Sequence, residues 1–440
     1  MKDSLGNPMS GADATSLAAF EQGVHELQCY VGDPVASVRA ALERSPGFVM
    51  AHALQGYLHL LGTDPGPVRV ARAAYDAAKN LPADARERGH LGAVRLLADG
   101  RWLEAGRVLE DVAIDHPRDA LALQVGHLID FYTGQSRMLR DRIARALPAW
   151  REGMPGYHAV IGMHAFGLEE AGDYARAEAA GRKGIDIEPR DGWSQHAVAH
   201  VMEMQGRHKD GIAWMRADTD AWSRDSFFCI HNWWHLALYH LDLGEIGEVM
   251  ALFDGPIYGS RSKNALDMVD ASALLWRLHL RGAPVGERWQ LVADNWAPIA
   301  NAGNYAFNDA HAMMAFVGAG RGRDAASLLE AQEAAMRGDG DNATFTREVG
   351  NPLCRAIKAF GDGDYRETVR ILRPLRATAN RFGGSHAQRD LLDLTLIEAA
   401  LRSGGKALAA ALAAERIAAK PTSPLARLFV ERADAMEPAT

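Results

Sequence analysis

Ten short glycine-bearing turns punctuate this chain at nearly constant spacing, and that periodicity restricts its fold more than any other feature. The marker glycines are Gly62, Gly100, Gly134, Gly172, Gly206, Gly244, Gly282, Gly320, Gly363 and Gly405, at intervals of 38, 34, 38, 34, 38, 38, 38, 43 and 42 residues. A period in the thirties that joins two amphipathic segments is the signature of stacked helical hairpins, each burying its core only against its neighbours. Runs of alternating β-branched residues bounded by Asn-Gly or Asp-Gly are nearly absent, so no sheet is expected.

The clearest hairpin lies between Gly156 and Pro189. Its first half, GYHAVIGMHAFGLEEAG, sets apolar residues at helical spacing and stops at Gly172. Its second half begins at Asp173, suited to an N-cap, and ends at a proline. Ala177 and Gly181 are small enough to let helices approach closely. Looser copies start at Gly100, Gly206 and Gly363. The pattern predicts an all-α, tetratricopeptide-like α-solenoid of about ten helical hairpins curled round a central cavity. Residues 1–44 read as an N-terminal helical cap, 45–430 as the superhelix and 431–440 as a frayed tail. Long loops are expected at 254–265 and 336–346.

Composition excludes several classes. The net charge of −8 is dispersed and gives no footprint for nucleic acid. No stretch of about 18 apolar residues occurs, so no membrane partner is expected. Cys29, Cys229 and Cys354 are too few and too scattered for a disulfide framework. The opening MKDSLGNPMSGADATSL lacks a basic segment followed by an apolar run, so a cytoplasmic location is expected.

Chemistry enters through histidines in register with the turns. His52, His90 and His196 each precede their glycine by ten residues, and His235 and His311 by nine. Residues three or four apart share a helix face, so His196, His200 and Glu203 form one stripe, and His231 and His235 another. His52 and His59, Asp270 and Ser272, Asn308 and His311, and Cys354 take similar places on their helices. Such polar positions are unusual in hairpin packing. SQHAVAHVMEM and HNWWHLALYHL each contain two histidines four apart, so four imidazoles and Glu203 are expected to converge. Imidazole and carboxylate suit zinc or iron, with His196, His200, His231 and His235 as the ligands. The metal-free alternatives are a wet binding groove or plain scaffold polarity.

Other constellations admit two readings. Asp309 either orients a histidine for acid–base work or caps its helix. Cys354 is a nucleophile or packing. Ser385 is better read as a cap, and Arg389 either pairs with Asp390 or binds a carboxylate. Trp222, Trp233, Trp234 and Tyr239 are mostly core, with an indole available to wall a pocket.

Six ordered segments carry a family resemblance. They are WSQHAVAHVMEMQGR (Trp193–Arg207), HNWWHLALYH (His231–His240), DMVDASALLWRL (Asp267–Leu278), FNDAHAMMA (Phe307–Ala315), VGNPLCRA (Val349–Ala356) and GGSHAQRD (Gly383–Asp390). With them, the chain resembles the tetratricopeptide repeat protein 38 family over about residues 45 to 430. The resemblance implies a tetratricopeptide-like solenoid and leaves the activity open. His196, His200, Glu203, His231, Asn232, His235, Asn308, Asp309, His311, Cys354, Gln388, Arg389 and Asp390 fall on its motifs. His164, His240 and His386 fall where the pattern is loose.

The functional expectation is a soluble protein whose cavity binds a small polar molecule, with hydrolase-type cleavage of an amide, ester or C–N bond. His196, His200, Glu203, His231, His235, Asp309 and His311 would carry the chemistry. His52, Asn232, Trp234, Asp270, Asn308, Cys354, Gln388 and Arg389 would bind substrate. The alternative is a non-catalytic scaffold that binds a peptide segment of a partner protein. Self-association into a homo-oligomer stays open.

Overall fold

The computed structural model describes residues 1–437. Among the described residues there is no strand, only the isolated bridges Lys2–Pro8 and Val31–Ser226. The chain divides into two compact units: Met1–Val201 with Thr219–Cys229, and Met202–Asp218 with the chain from Ile230 onward.

The first unit opens on the hairpin α1 (Ala14–Cys29) and α2 (Pro34–Arg44). The hairpins α3 (Val49–Leu60)/α4 (Val68–Ala78), α5 (Ala85–Ala98)/α6 (Trp102–Asp115), α7 (Ala120–Tyr132)/α8 (Ser136–Ala146) and α9 (Tyr157–Glu170)/α10 (Tyr174–Ile187) follow. The helix α11 (Gly192–Met204) contributes its residues through Val201 here and the rest to the second unit. The helix α12 (His208–Ala217) belongs to the second unit and the short α13 (Thr219–Ser223) to the first. The second unit continues with α14 (Cys229–Leu243)/α15 (Ile246–Leu252), α16 (Ala265–Leu280)/α17 (Arg288–Trp296) and α18 (Ala306–Gly318)/α19 (Gly322–Ala335). A short α20 (Asp341–Phe345) leads to α21 (Asn351–Gly361)/α22 (Tyr365–Leu375), α23 (His386–Arg402)/α24 (Lys406–Ala419) and a last helix α25 (Pro424–Asp434).

Turn chemistry sets this repeat. Gly172, at φ 81°, donates its amide to the Glu169 carbonyl at 2.8 Å, and Asp173 donates to the Leu168 carbonyl at 2.9 Å. Those bonds satisfy the last carbonyls of α9 and need a left-handed residue, which glycine supplies without a Cβ clash. Two turns depart from the marker positions. Thr63, at φ 60°, takes the left-handed place after Gly62, and Gly404, at φ 79°, takes it before Gly405.

Burial separates the two helices of a hairpin. In α9 every residue from His158 to Glu170 except His164 is buried, whereas α10 buries only Ala177, Gly181 and Gly184. First helices are thus enclosed on nearly all sides, and second helices present one stripe inward. The small residues matter as the sequence suggests, but against more than one neighbour. A Cβ on Gly181 would lie 2.6 Å from Val198 of α11 and 3.7 Å from Ala165 of α9.

Two stretches differ from expectation. The stretch 336–346 is not wholly a loop: α20 forms at Asp341–Phe345, and a wide helical turn at Thr346–Gly350 leads straight into α21. Here Asn342 pins the segment, accepting from the Ala306 amide at 2.8 Å and donating to the Gly303 carbonyl at 2.7 Å. At the other end, α25 continues through Asp434, so the first residues of the expected tail are helical. Residues 438–440 of that tail lie outside the described residues.

Candidate functional site

In the second unit, α14 carries His231 and His235 one turn apart, their rings 4.9 Å between centroids and nearly perpendicular. Each ring is gripped through Nδ1 by a carboxylate from another helix. His231 Nδ1 lies 2.9 Å from Asp270 of α16, and His235 Nδ1 lies 3.1 Å from Glu203 in the last turn of α11. His235 is fully buried, while the His231 side chain keeps 14% exposure. A carboxylate that accepts from Nδ1–H fixes ring orientation and tautomer, and puts the lone pair on Nε2.

The surroundings are apolar on one side and charged on the other. Trp234 is fully buried, stacks on His231 at 5.3 Å and meets His235 edge-on at 4.9 Å. Its other neighbour is the buried Arg277 guanidinium, 5.2 Å from the ring. Arg277 donates to the Ala387 carbonyl at 2.6 Å, and burial lowers its pKa against the pull of Asp390, Glu203 and Asp270. Lys420 approaches Glu203 at 3.9 Å. Asn232 is fully buried on the same helix. Arg277 carries no sequence cue beyond its place in DMVDASALLWRL, because a lone arginine on an apolar helix has no periodic partner.

Asp309 and His311 are not partners. His311 donates from Nδ1 to the Phe307 carbonyl at 2.8 Å, its Nε2 is buried without a hydrogen bond, and burial pushes its pKa down to about 4. Asp309 instead accepts from Gln332 Nε2 at 3.2 Å, and burial pushes its carboxyl up to about 7. The cap reading fails too, since α18 starts at Ala306 without a side-chain cap. Gln332 also reaches Cys354 Sγ at 3.3 Å and accepts from Asn351 at 3.2 Å. Cys354 is fully buried and its thiol is pushed well above the usual range by burial. Burial that raises a thiol's pKa favours the packing reading over the nucleophile. Asn308 is buried near the start of α18.

Two expected substrate contacts in GGSHAQRD have local duties. Gln388 completes a capping box with Ser385, accepting from its amide at 3.0 Å, so Ser385 is the cap that the sequence suggests. Arg389 does not pair with Asp390; it donates to the Gly384 carbonyl. Asp390 forms a two-pronged pair with Arg416 at 2.8 and 3.0 Å.

In the first unit, His196 and His200 sit 4.4 Å apart within aromatic rings. Phe166 stacks on His196 at 5.2 Å, Trp193 lies at 4.8 Å, and Phe228 meets it edge-on at 5.2 Å. His200 Nδ1 lies 3.5 Å from the fully buried Glu169. His52 donates from Nε2 to the Pro46 carbonyl at 2.8 Å, beside the start of its own helix.

Other buried histidines of the first helices have structural partners. His90 Nε2 bonds Asp119 at 2.9 Å, and His158 Nδ1 bonds Asp191 at 2.9 Å. Asp119 caps α7, accepting from the Ala122 amide at 2.9 Å. Asp191 accepts from the Ser194 amide at 3.0 Å, near the start of α11. In each case a histidine of one first helix reads the aspartate at the start of the next. No family model matches the chain.

Proposed function

We propose that the second unit holds an acid–base site for a small polar molecule, of hydrolase type, built on the His231–Asp270 and His235–Glu203 pairs. The observation that supports this reading most is the position of the two carboxylates. Asp270 stands in the interior of α16 and Glu203 in the last turn of α11, where neither has a helix N-terminus to cap. Burying them costs several kcal/mol each before any pairing, and no backbone duty at those positions offsets it. Carboxylate–imidazole pairs are what acid–base catalysis needs: the carboxylate stabilises the imidazolium that forms when Nε2 takes a proton.

Hydrolysis divides between the two imidazoles. His231, the more exposed, takes a proton from water as the water attacks a carbonyl carbon. An imidazolium then returns a proton to the leaving nitrogen or oxygen. Trp234 supplies a flat apolar wall, and Arg277 a positive field for developing negative charge. In a metal-assisted form, zinc or iron would bind at Nε2 of the same imidazoles and lower the pKa of a bound water.

The test is a screen of small amides, esters and C–N substrates against the full chain, beside elemental analysis of the purified protein. Turnover that disappears in His231→Ala and His235→Ala supports the reading. Equal turnover in the parent and both variants overturns it, as does tight binding of an extended peptide with no turnover.

A further inference from the structure

We infer that the first unit carries a zinc-binding site formed by His25 and Cys29 of α1 and His158 of α9. The three side chains come from segments far apart in sequence, yet each offers a ligand atom within 4.8 Å of the other two. Cys29 Sγ lies 3.8 Å from His25 Nδ1 and 3.9 Å from Nε2, and the two imidazole rings are 5.9 Å apart at 79°. Zinc bonds of about 2.3 Å to sulfur and about 2.0 Å to nitrogen set tetrahedral ligand separations of about 3.5 Å. Shifts of about an ångström in these side chains would bring the ligand atoms to such separations.

The surroundings fit a cation better than packing. His158 is already oriented, because its Nδ1 is held by Asp191 at 2.9 Å, which directs Nε2 as the ligand atom. A carboxylate behind a histidine is the usual outer partner of a zinc ligand. Cys29 is fully buried and His158 nearly so, while His25 is half-buried and leaves a side for the ion and a water ligand. Burial first, then the carboxylates of Asp191 and Glu188, raise the pKa of the Cys29 thiol, against Arg190. The same carboxylates favour a cation. When zinc binds, the S–H bond breaks, the proton leaves to solvent and the sulfur lone pair forms the Zn–S bond.

The ion would fasten the N-terminal helix where its following residues already meet the far end of the unit. Gly32 donates to the Asp225 carbonyl at 2.9 Å, and Phe227 donates to the Tyr30 carbonyl at 3.0 Å. A histidine and a cysteine four apart on α1 were visible in the sequence, but their partner His158 lies out of register with the turn glycines.

The experiment is cobalt and zinc titration of the full-length, chelator-treated protein. A near-ultraviolet sulfur-to-cobalt charge-transfer band, displaced by one equivalent of zinc, is expected. The band should vanish in Cys29→Ser and persist in Cys229→Ser. Zinc affinity should fall at least about tenfold in His25→Ala and in Asp191→Asn. His25 is half-buried, so its variant should fold even if the others do not. Absence of the band in the parent, its survival in Cys29→Ser, or unchanged affinity in His25→Ala overturns the site. A band and affinity unchanged in the double His231→Ala, His235→Ala variant separates this ion from any bound at the proposed acid–base site.

Discussion

Replacing Asp309 with asparagine removes a titrating group and little else. The side chain keeps its shape, and its amide oxygen still accepts from Gln332 Nε2, now at 3.2 Å from Asp309. Burial raises the Asp309 pKa from 3.8 to about 7 in the folded chain. Between those values the folded state holds a proton that the unfolded state has released, so stability falls as pH rises through the window and levels off above about 7. Below pH 3.8 both states are protonated and the contribution is nil. Each pKa unit is worth about 1.4 kcal/mol, so the ceiling is about 4 kcal/mol. Local relaxation and water entry reduce this to about 2 kcal/mol. At about 2–4 °C per kcal/mol for a domain of this size, the asparagine variant should gain about 4–8 °C in Tm at pH 8 relative to its gain at pH 4. The assay is thermal unfolding of both proteins across that range, read as a double difference that cancels every other titrating group. A difference that does not grow with pH, or one that shrinks, would refute the claim that burial holds this carboxyl protonated.

Alanine at His231 or His235 should abolish turnover while lowering Tm by no more than a few degrees, checked by kinetics beside circular dichroism; loss of fold with unchanged specific activity of the remaining folded protein would contradict the site. His311 should stay neutral from pH 8 down to about 5, because burial holds its pKa near 4; its stability contribution is then lost as pH falls from about 6.5 toward 4, and an imidazole NMR titration centred near 6.5 would show the ring to be solvated. Gly167→Ala should cost about 1–3 kcal/mol by denaturant unfolding, since its Cβ would sit 2.5 Å from the backbone of Leu139 and Arg140 in α8; a cost below about 0.5 kcal/mol would mean that α8 and α9 separate freely.

Helices and turns were legible because their causes are local. A left-handed glycine after an apolar helix is a signal that one residue carries. That is why the turns at Gly100, Gly172 or Gly320 need no tertiary knowledge. Where a different residue takes the same conformation, as Thr63 does beside Gly62, the glycine marks the turn but not its left-handed position. The helical stretch at 341–350 was hidden for the opposite reason. Its stability comes from Asn342 binding the backbone at Gly303 and Ala306, and no local pattern reports such a contact.

The site was legible only as a list of polar residues on buried helices, because register alone does not tell a tie from a tool. His90 obeys the same helical arithmetic as His235, yet it bonds an aspartate at the start of the next first helix, as the out-of-register His158 also does. Such an aspartate has a backbone task, so its pairing needs no function to explain it. Asp270 and Glu203 stand inside or at the end of helices, where neither caps a helix start; each orients an imidazole, and Glu203 also faces Lys420 at 3.9 Å. Gln388 makes the converse point: it lies on a conspicuous motif and closes a capping box. What separates function from architecture in this fold is therefore the second partner of each carboxylate or amide. That partner is fixed by packing between helices roughly 30 to 40 residues apart, which the sequence spacing brings near without saying which atoms meet.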